Sequence, residues 1–372
     1  MSDLKIGSIP VLNTNKCIDI LSNMYIKAVS NNCLNKIPSV MLFGPPGIGK
    51  SQSINEIARR IELNTNKKVN VTDVRLILFN PIDLRGIPTA NENKTLAVWL
   101  KPKIFDMDDG SDVVNILFLD EITAAPTSVQ AAAYQITLDK KIGEHKLPDN
   151  CIVIAAGNRV TDKSVAYQMP KALANRLLHL EIESNIDSWN KWAIDNNIHP
   201  YVLGFIKFKP DYLNNFDPKT NDLAFATPRT WELVSNILNN ISDNISDTYE
   251  LIGGLVGKGV AVEFKTWTKL FSKLPNIKDI FDGTCNDIPR DTDVLYALIS
   301  SMVIYAKRYK DDLTKIENSI IYGEKLPADF SVVLFKDYMY LDENYKQKLL
   351  RIPAYTRWLK SRGKLLDEAN GF

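Results

Sequence analysis

Apolar residues recur every three or four positions through "CIDILSNMYIKAVS" (Cys17–Ser30), the spacing of one buried helical face. The rhythm then changes. "SVMLF" (Ser39–Phe43) is a short apolar run with the length of a buried strand. Directly after a glycine-rich loop, "KSQSINEIARRIEL" places Ile54, Ile57, Ala58 and Ile61 on one side of a second helix. Four more apolar runs read as strands: Val74–Phe79, Val113–Leu119, Cys151–Ala156 and Leu177–Ile182. Buried runs alternating with helical segments predict an α/β fold, a parallel five-stranded sheet with helices on both faces. In such sheets ligands gather at the carboxyl ends of the strands. Beyond about residue 186 the strand rhythm stops. "PRTWELVSNILNNI", "TYELIGGLVGKGVAVEFKTWTKLF" and "DTDVLYALISSMVIYAKRYK" all carry helical spacing.

Composition narrows this picture only slightly. Hydrophobic residues make up 45% of the 372 positions and charged residues 24%, an ordinary globular balance. The formal net charge of +1 argues against a strongly basic nucleic-acid binder. Cys17, Cys33, Cys151 and Cys285 lie far apart without CxxC spacing, so they signal neither a zinc site nor a disulfide framework. The start, "MSDLKIGSIP", has no apolar core of secretory length, and no apolar stretch reaches the roughly 20 residues of a membrane span. A cytoplasmic protein away from the membrane is the expectation. Seven Lys and Arg residues between Lys346 and Lys364 suit a solvated helix face or, alternatively, an acidic partner.

The chemistry starts in "GPPGIGKS" (Gly44–Ser51), which fits G-x-x-x-x-G-K-[ST] without a gap between a strand and a helix. Gly44, Gly47 and Gly49 let the backbone curl so that N–H groups face phosphate oxygens, and the helix that follows adds its positive end. Pro45, Pro46, Ile48 and Gln52 complete the nucleotide-contacting stretch. Lys50 would reach the β- and γ-phosphates, and Ser51 would hold Mg²⁺. About 70 residues on, "VVNILFLDEI" is an apolar strand ending in two acids. Asp120 would hold the Mg²⁺ through water, while Glu121 would orient and activate the attacking water. "IVIAAGN" ends in Asn158, whose amide can bond the water or the γ-phosphate. Arg176 and Arg229 are candidate stabilisers of γ-phosphoryl charge, with surface ion pairing as the plain alternative. Thr227 and Pro228 before Arg229 read as a helix start.

Together these residues resemble the AAA+ ATPases, and most closely their MoxR family. "NPIDLRGIP" (Asn80–Pro88) is similar to the start of the insertion that this clade carries in its second helix, continued by "PTANENKTLAVWLKP". "DKKIGEHKLPDNCIVIAAGNR" is similar to its hairpin before sensor 1. "KALANRLLHLEI", "TPRTWE" and "GLVGKGVAVEF" resemble the passage from core to lid in a bacterial and phage-associated branch. The likeness runs over about residues 16–270. It implies an AAA+ core at 1–185, a helical lid at 186–285 and a C-terminal helical extension at 286–372. It also implies that Asn158 is sensor 1, that Arg176 is an arginine finger reaching the neighbouring subunit's nucleotide, and that Arg229 is sensor 2. Arg159 is a lesser interface candidate. The family forms hexameric rings that hydrolyse ATP with Mg²⁺, and its members act as chaperone-like motors on partners carrying a von Willebrand factor A (VWA) domain. A nucleic-acid-linked ATPase is the alternative, because restriction and helicase-type relatives share the second-helix insertion. The Gly143–Asn150 hairpin, with His145 and Lys146 near its tip, would transmit nucleotide state to a substrate in the ring's pore or, alternatively, be a passive surface loop. Trp99 reads as a packing residue or a substrate grip, and His179 and His199 as structural.

Overall fold

The structure is a computed structural model describing residues 9–159, 174–217, 219–220, 222–342 and 344–369. The chain divides into two compact units, the first running through Ser184 and the second starting at Asn185.

The first unit is built on a parallel sheet of β1 (Val11–Asn13), β2 (Val40–Phe43), β3 (Lys68–Arg75), β6 (Val113–Asp120), β9 (Cys151–Gly157) and β10 (Leu178–Glu183), in the order β1-β10-β2-β9-β6-β3. The expected parallel α/β architecture is present, with six strands in place of five. The added strand is β1, three residues that pair Val11 with Glu181 and Asn13 with Glu183 at the sheet edge. Three residues carry no period to read, so this edge escaped the sequence pattern. The second strand also lies earlier than Val74–Phe79. It is Lys68–Arg75, and Leu76–Leu78 turn into a 3₁₀ helix. An edge strand keeps one side and one flank in water, so β3 alternates polar and apolar residues and buries only Val74 fully.

Central strands β2, β6 and β9 are buried on both faces, as their unbroken apolar runs require. Helix α1 (Thr14–Ser30) starts where the Asn13 side chain accepts the Lys16 N–H at 2.8 Å. It packs with helix α2 (Lys50–Thr65) on one face of the sheet, through Leu21, Tyr25, Ile54, Ile57 and Ile61. On the other face Val129, Ala133 and Ile136 of helix α4 (Thr127–Asp139) meet Leu117, Leu119 and Val153. Burying each such Leu or Ile contributes about 2 kcal/mol.

Two small hairpins interrupt this layering. Strands β4 (Ile87–Ala90) and β5 (Ala97–Leu100) follow the five-residue helix α3 (Pro81–Arg85). Strands β7 (Lys141–Ile142) and β8 (His145–Lys146) follow α4.

The second unit is helical among its described residues. A single buried cluster runs from Trp189 to Trp358, so the segments on either side of residue 285 share one core. Phe205 is central to it, with Trp231, Phe264 and Trp267 rings 5.3–6.2 Å away. The two indole N–H groups are satisfied by the Tyr212 and Tyr201 carbonyls. Lys207 pairs with Asp337 inside this core, both side chains almost fully enclosed.

Candidate functional site

The loop between β2 and α2 sits at the carboxyl ends of the central strands. Gly44 is squeezed between neighbours: its N–H donates to the Gly157 carbonyl at 3.3 Å, and a Cβ there would lie 2.7 Å from the Ile182 carbonyl oxygen. Gly47 and Gly49 adopt φ of +76° and +96°, conformations that favour glycine. Ile48 is buried and joins the α1–α2 side of the core, which anchors the loop's crest. Pro45 is buried and Pro46 half-buried; neither carries an N–H to direct. Helix α2 opens on Gly49 with no side chain capping it. A helix start of this kind, behind a glycine loop, is a setting that suits an anion. Gln52 is exposed on that turn.

Lys50 is the hub. Its Nζ donates to the carbonyls of Gly44 at 2.6 Å and Pro45 at 3.0 Å, and to Asn158 Oδ1 at 3.1 Å. One helical position on, Ser51 Oγ donates to Asp120 Oδ2 at 3.0 Å. Asp120 closes β6, and its other oxygen accepts the Glu121 N–H at 2.8 Å. Glu121 has φ of +58°, unusual for a residue with a side chain, and its side chain is exposed. Lys50, Ser51, Asp120, Glu121 and Asn158 are thus brought together at one end of the sheet. The edge strand adds Asp73 and Arg75, the latter in register with Asp120. Burial and the Asp120 charge raise the Asp73 carboxyl above its ordinary value, and Arg75 opposes them. A crowded pair of carboxylates beside a serine hydroxyl is a donor set of hard oxygens, which fits Mg²⁺.

The arginines belong to other segments of the chain. Arg159 follows Asn158, and its Nη1 pairs with Glu181 on β10 at 2.6 Å. Arg176 is exposed just before the amino end of β10; Lys171, Ala172 and Leu173 of its stretch lie outside the described residues. Because the strands are parallel, Arg176 stands at the amino end of the sheet, the end opposite the P-loop. Arg229 belongs to the second unit, exposed in the first turn of helix Pro228–Asn240, whose capping box is Thr227 and Thr230.

Several contacts carried no sequence signal. Thr123 is buried two residues after Glu121 and hydrogen-bonds the backbone of Asn158 on both sides. Gln130 donates to the Thr123 and Ala125 carbonyls. The two hairpins also touch. His145 Nε2 lies 2.8 Å from the Trp99 carbonyl, and the Arg85 guanidinium sits 4.4 Å over the Trp99 ring. Gly143 and Glu144 make the turn, and His145 stands directly after it in β8, near the tip as expected and against the other hairpin. The half-buried Trp99 ring is thus covered on one face by Arg85. His179 stacks on Phe43, and its Nε2 lies 2.7 Å from the Ala174 carbonyl.

Residues 39–179 match the family model described as "ATPase family associated with various cellular activities (AAA)". Chaperone MoxR1 of Mycobacterium tuberculosis (strain ATCC 25618 / H37Rv) is 26% identical over 143 residues, 37% of this chain and 34% of that protein. The chain thus spans about a third of the length of the curated relative that it matches. Among solved structures, a point mutant of RuvB from Thermotoga maritima is 14% identical with a TM-score of 0.33, covering 77% of this chain and 82% of that one. NtrX from Brucella abortus in complex with ATP is 15% identical with a TM-score of 0.34, covering 86% and 68%. Over residues 39–179 the chain is thus similar to the AAA ATPases, and over a stretch of 143 residues to a MoxR chaperone.

Proposed function

We propose that this chain hydrolyses ATP and uses the reaction for chaperone-like remodelling or maturation of a partner protein. The observation that carries the reading is the paired contact of Lys50 with Asn158 and Ser51 with Asp120, at a loop with an uncapped helix behind it. In the free protein the Lys50 ammonium is satisfied by carbonyl oxygens and the Asn158 amide. Phosphate oxygens would replace those acceptors without moving the side chain far, because the loop already points its amides the same way. Ser51 and Asp120 would hold Mg²⁺, which when bound neutralises phosphate charge. Glu121 would orient the attacking water and accept its proton. Asn158 would align the γ-phosphate or that water.

Arg176 would act in trans. Its place opposite the P-loop suits contact with a neighbouring copy's nucleotide better than with its own. Arg229 would serve as sensor 2, a role that rests on family likeness. The trans role of Arg176 implies an oligomer, and by family likeness a hexameric ring. A VWA-domain protein is the proposed partner, in keeping with the chaperone name of the mycobacterial relative. The near-neutral chain gives no support to nucleic acid in that role.

The test is ATP turnover of the full chain with a VWA-domain protein from the same genome or with duplex DNA. Stimulation by the protein supports the reading; salt-sensitive stimulation by DNA alone overturns it. In the same assay, Arg176→Ala and Lys50→Ala are each expected to be inactive alone and partly active when mixed. No recovery on mixing, with both assembled, would remove the trans role.

A further inference from the structure

We infer that Thr123 is a positioning residue for hydrolysis, a reading that rests on the roles proposed above for Glu121 and Asn158. Its side chain is 3% exposed, and its hydroxyl lies between the turn carrying Glu121 and the end of β9. Thr123 Oγ1 accepts the Asn158 N–H at 3.0 Å and lies 3.3 Å from the Asn158 carbonyl, to which it donates. One hydroxyl thus holds both backbone polar groups of the residue whose amide meets Lys50.

The sheet alone does not fix this point. The β6–β9 ladder ends with Leu119 opposite Ala155. One further backbone bond, from Ile122 N–H to the Ala156 carbonyl at 2.9 Å, carries the contact past Glu121. Asn158 lies beyond it, and Thr123 supplies the next link. The fit is tight: a Cβ at Gly157 would come within 2.6 Å of both Thr123 Cγ2 and Oγ1, so the glycine lets the threonine close on Asn158.

The same segment also holds Glu121 in place. Glu121 has a left-handed backbone, and its carbonyl accepts the Ala124 N–H at 3.0 Å. Buried Gln130 clamps the Thr123 and Ala125 carbonyls at 3.2 and 2.9 Å. The turn is thereby fixed at Asp120, Ile122, Thr123 and Ala125. Thr123 is the member that joins it to Asn158 through a side chain. The backbones that carry Glu121 and Asn158 are thereby tied together, so displacing one displaces the other.

Thr123→Val keeps the shape and removes both hydrogen bonds, whereas Thr123→Ser keeps the hydroxyl and loses a methyl. Turnover per bound nucleotide is expected to fall about tenfold or more in Thr123→Val, since small misplacements of reacting groups cost that much. Affinity for ATP is expected to change less than about threefold, because the P-loop is untouched. Thr123→Ser is expected to return turnover to within about twofold of the unmodified chain. Glu121→Gln and thermal melting run in parallel. Thr123→Val with unmodified turnover beside an inactive Glu121→Gln overturns the positioning role and leaves hydrolysis standing. Activity lost only in proportion to nucleotide-binding sites, or a loss that Thr123→Ser does not rescue, also overturns it and marks the residue as structural. No turnover by the unmodified chain overturns the hydrolysis reading and this inference with it.

Discussion

Lys50 is a cation with 9% of its surface exposed, held by two loop carbonyls and one amide. Such a group is tolerable because its charge is hydrogen-bonded on several sides. The residues around it were legible because a phosphate cradle leaves little choice of side chain. Glycines must curl the loop, a lysine must follow, and a hydroxyl must come next. Asp120 and Glu121 were legible for the same reason, standing at the end of an apolar strand. Thr123 and Gln130 were not, because threonine and glutamine after a strand are ordinary loop and helix residues. Their role exists only in the contacts they make across the chain. The left-handed backbone of Glu121 likewise has no signature, since glutamate rarely adopts it. Gly44 shows how little slack the site has. Gly44→Ala would bring a methyl against the Ile182 carbonyl and force the loop or β10 to move. The expected cost is about 1–3 kcal/mol of stability with weakened ATP binding. Thermal unfolding and nucleotide titration check it, and unchanged values for both would contradict the packing described.

Among the elements, central strands and long helices were read well because burial on both faces or on one helical side leaves a strong period. β3 lies upstream of the expected Val74–Phe79 because an edge strand alternates, and the apolar "LIL" after it carries the stronger hydrophobic signal. The hairpins were expected, but not their contact, since a backbone carbonyl accepting from His145 has no sequence code. Helix Pro200–Phe208 gives an element-scale prediction. Its N-cap is His199, whose Nδ1 accepts the Tyr201 N–H at 3.2 Å and so must be unprotonated. Burial pushes His199 down from 6.5 to about 4; Asp243 pulls it up and Arg308 pushes it further down. The unfolded chain then binds more protons than the folded one between these values. Stability is therefore full above about pH 6.5 and falls as pH drops toward 4. The contribution is on the order of 2–3 kcal/mol. Denaturant unfolding at pH 7.5 and pH 5 should show this loss, and His199→Asn, which also caps helices, should flatten it. An equal slope in the variant would contradict the assignment.

On the scale of the whole molecule, periodicity announced helices after residue 186 but not which of them share a core. The structure answers with one cluster from Trp189 to Trp358 and with the buried Lys207–Asp337 pair joining helix Pro200–Phe208 to helix Ala328–Tyr338. The basic tail is partly accounted for as well: Lys348 pairs with Asp311, Arg357 with Glu324, and Arg362 reaches the Leu326 carbonyl. Among the described residues no helix is long and apolar enough to cross a membrane. The proposed reaction is ATP hydrolysis with Glu121 acting on the water. Its most direct measurement is steady-state phosphate release by the full chain and by Glu121→Gln, with ATP affinity measured on both. The account predicts Mg²⁺-dependent release by the unmodified chain, and in the variant retained binding with turnover reduced about 100-fold or more. Equal turnover in the two proteins would contradict it.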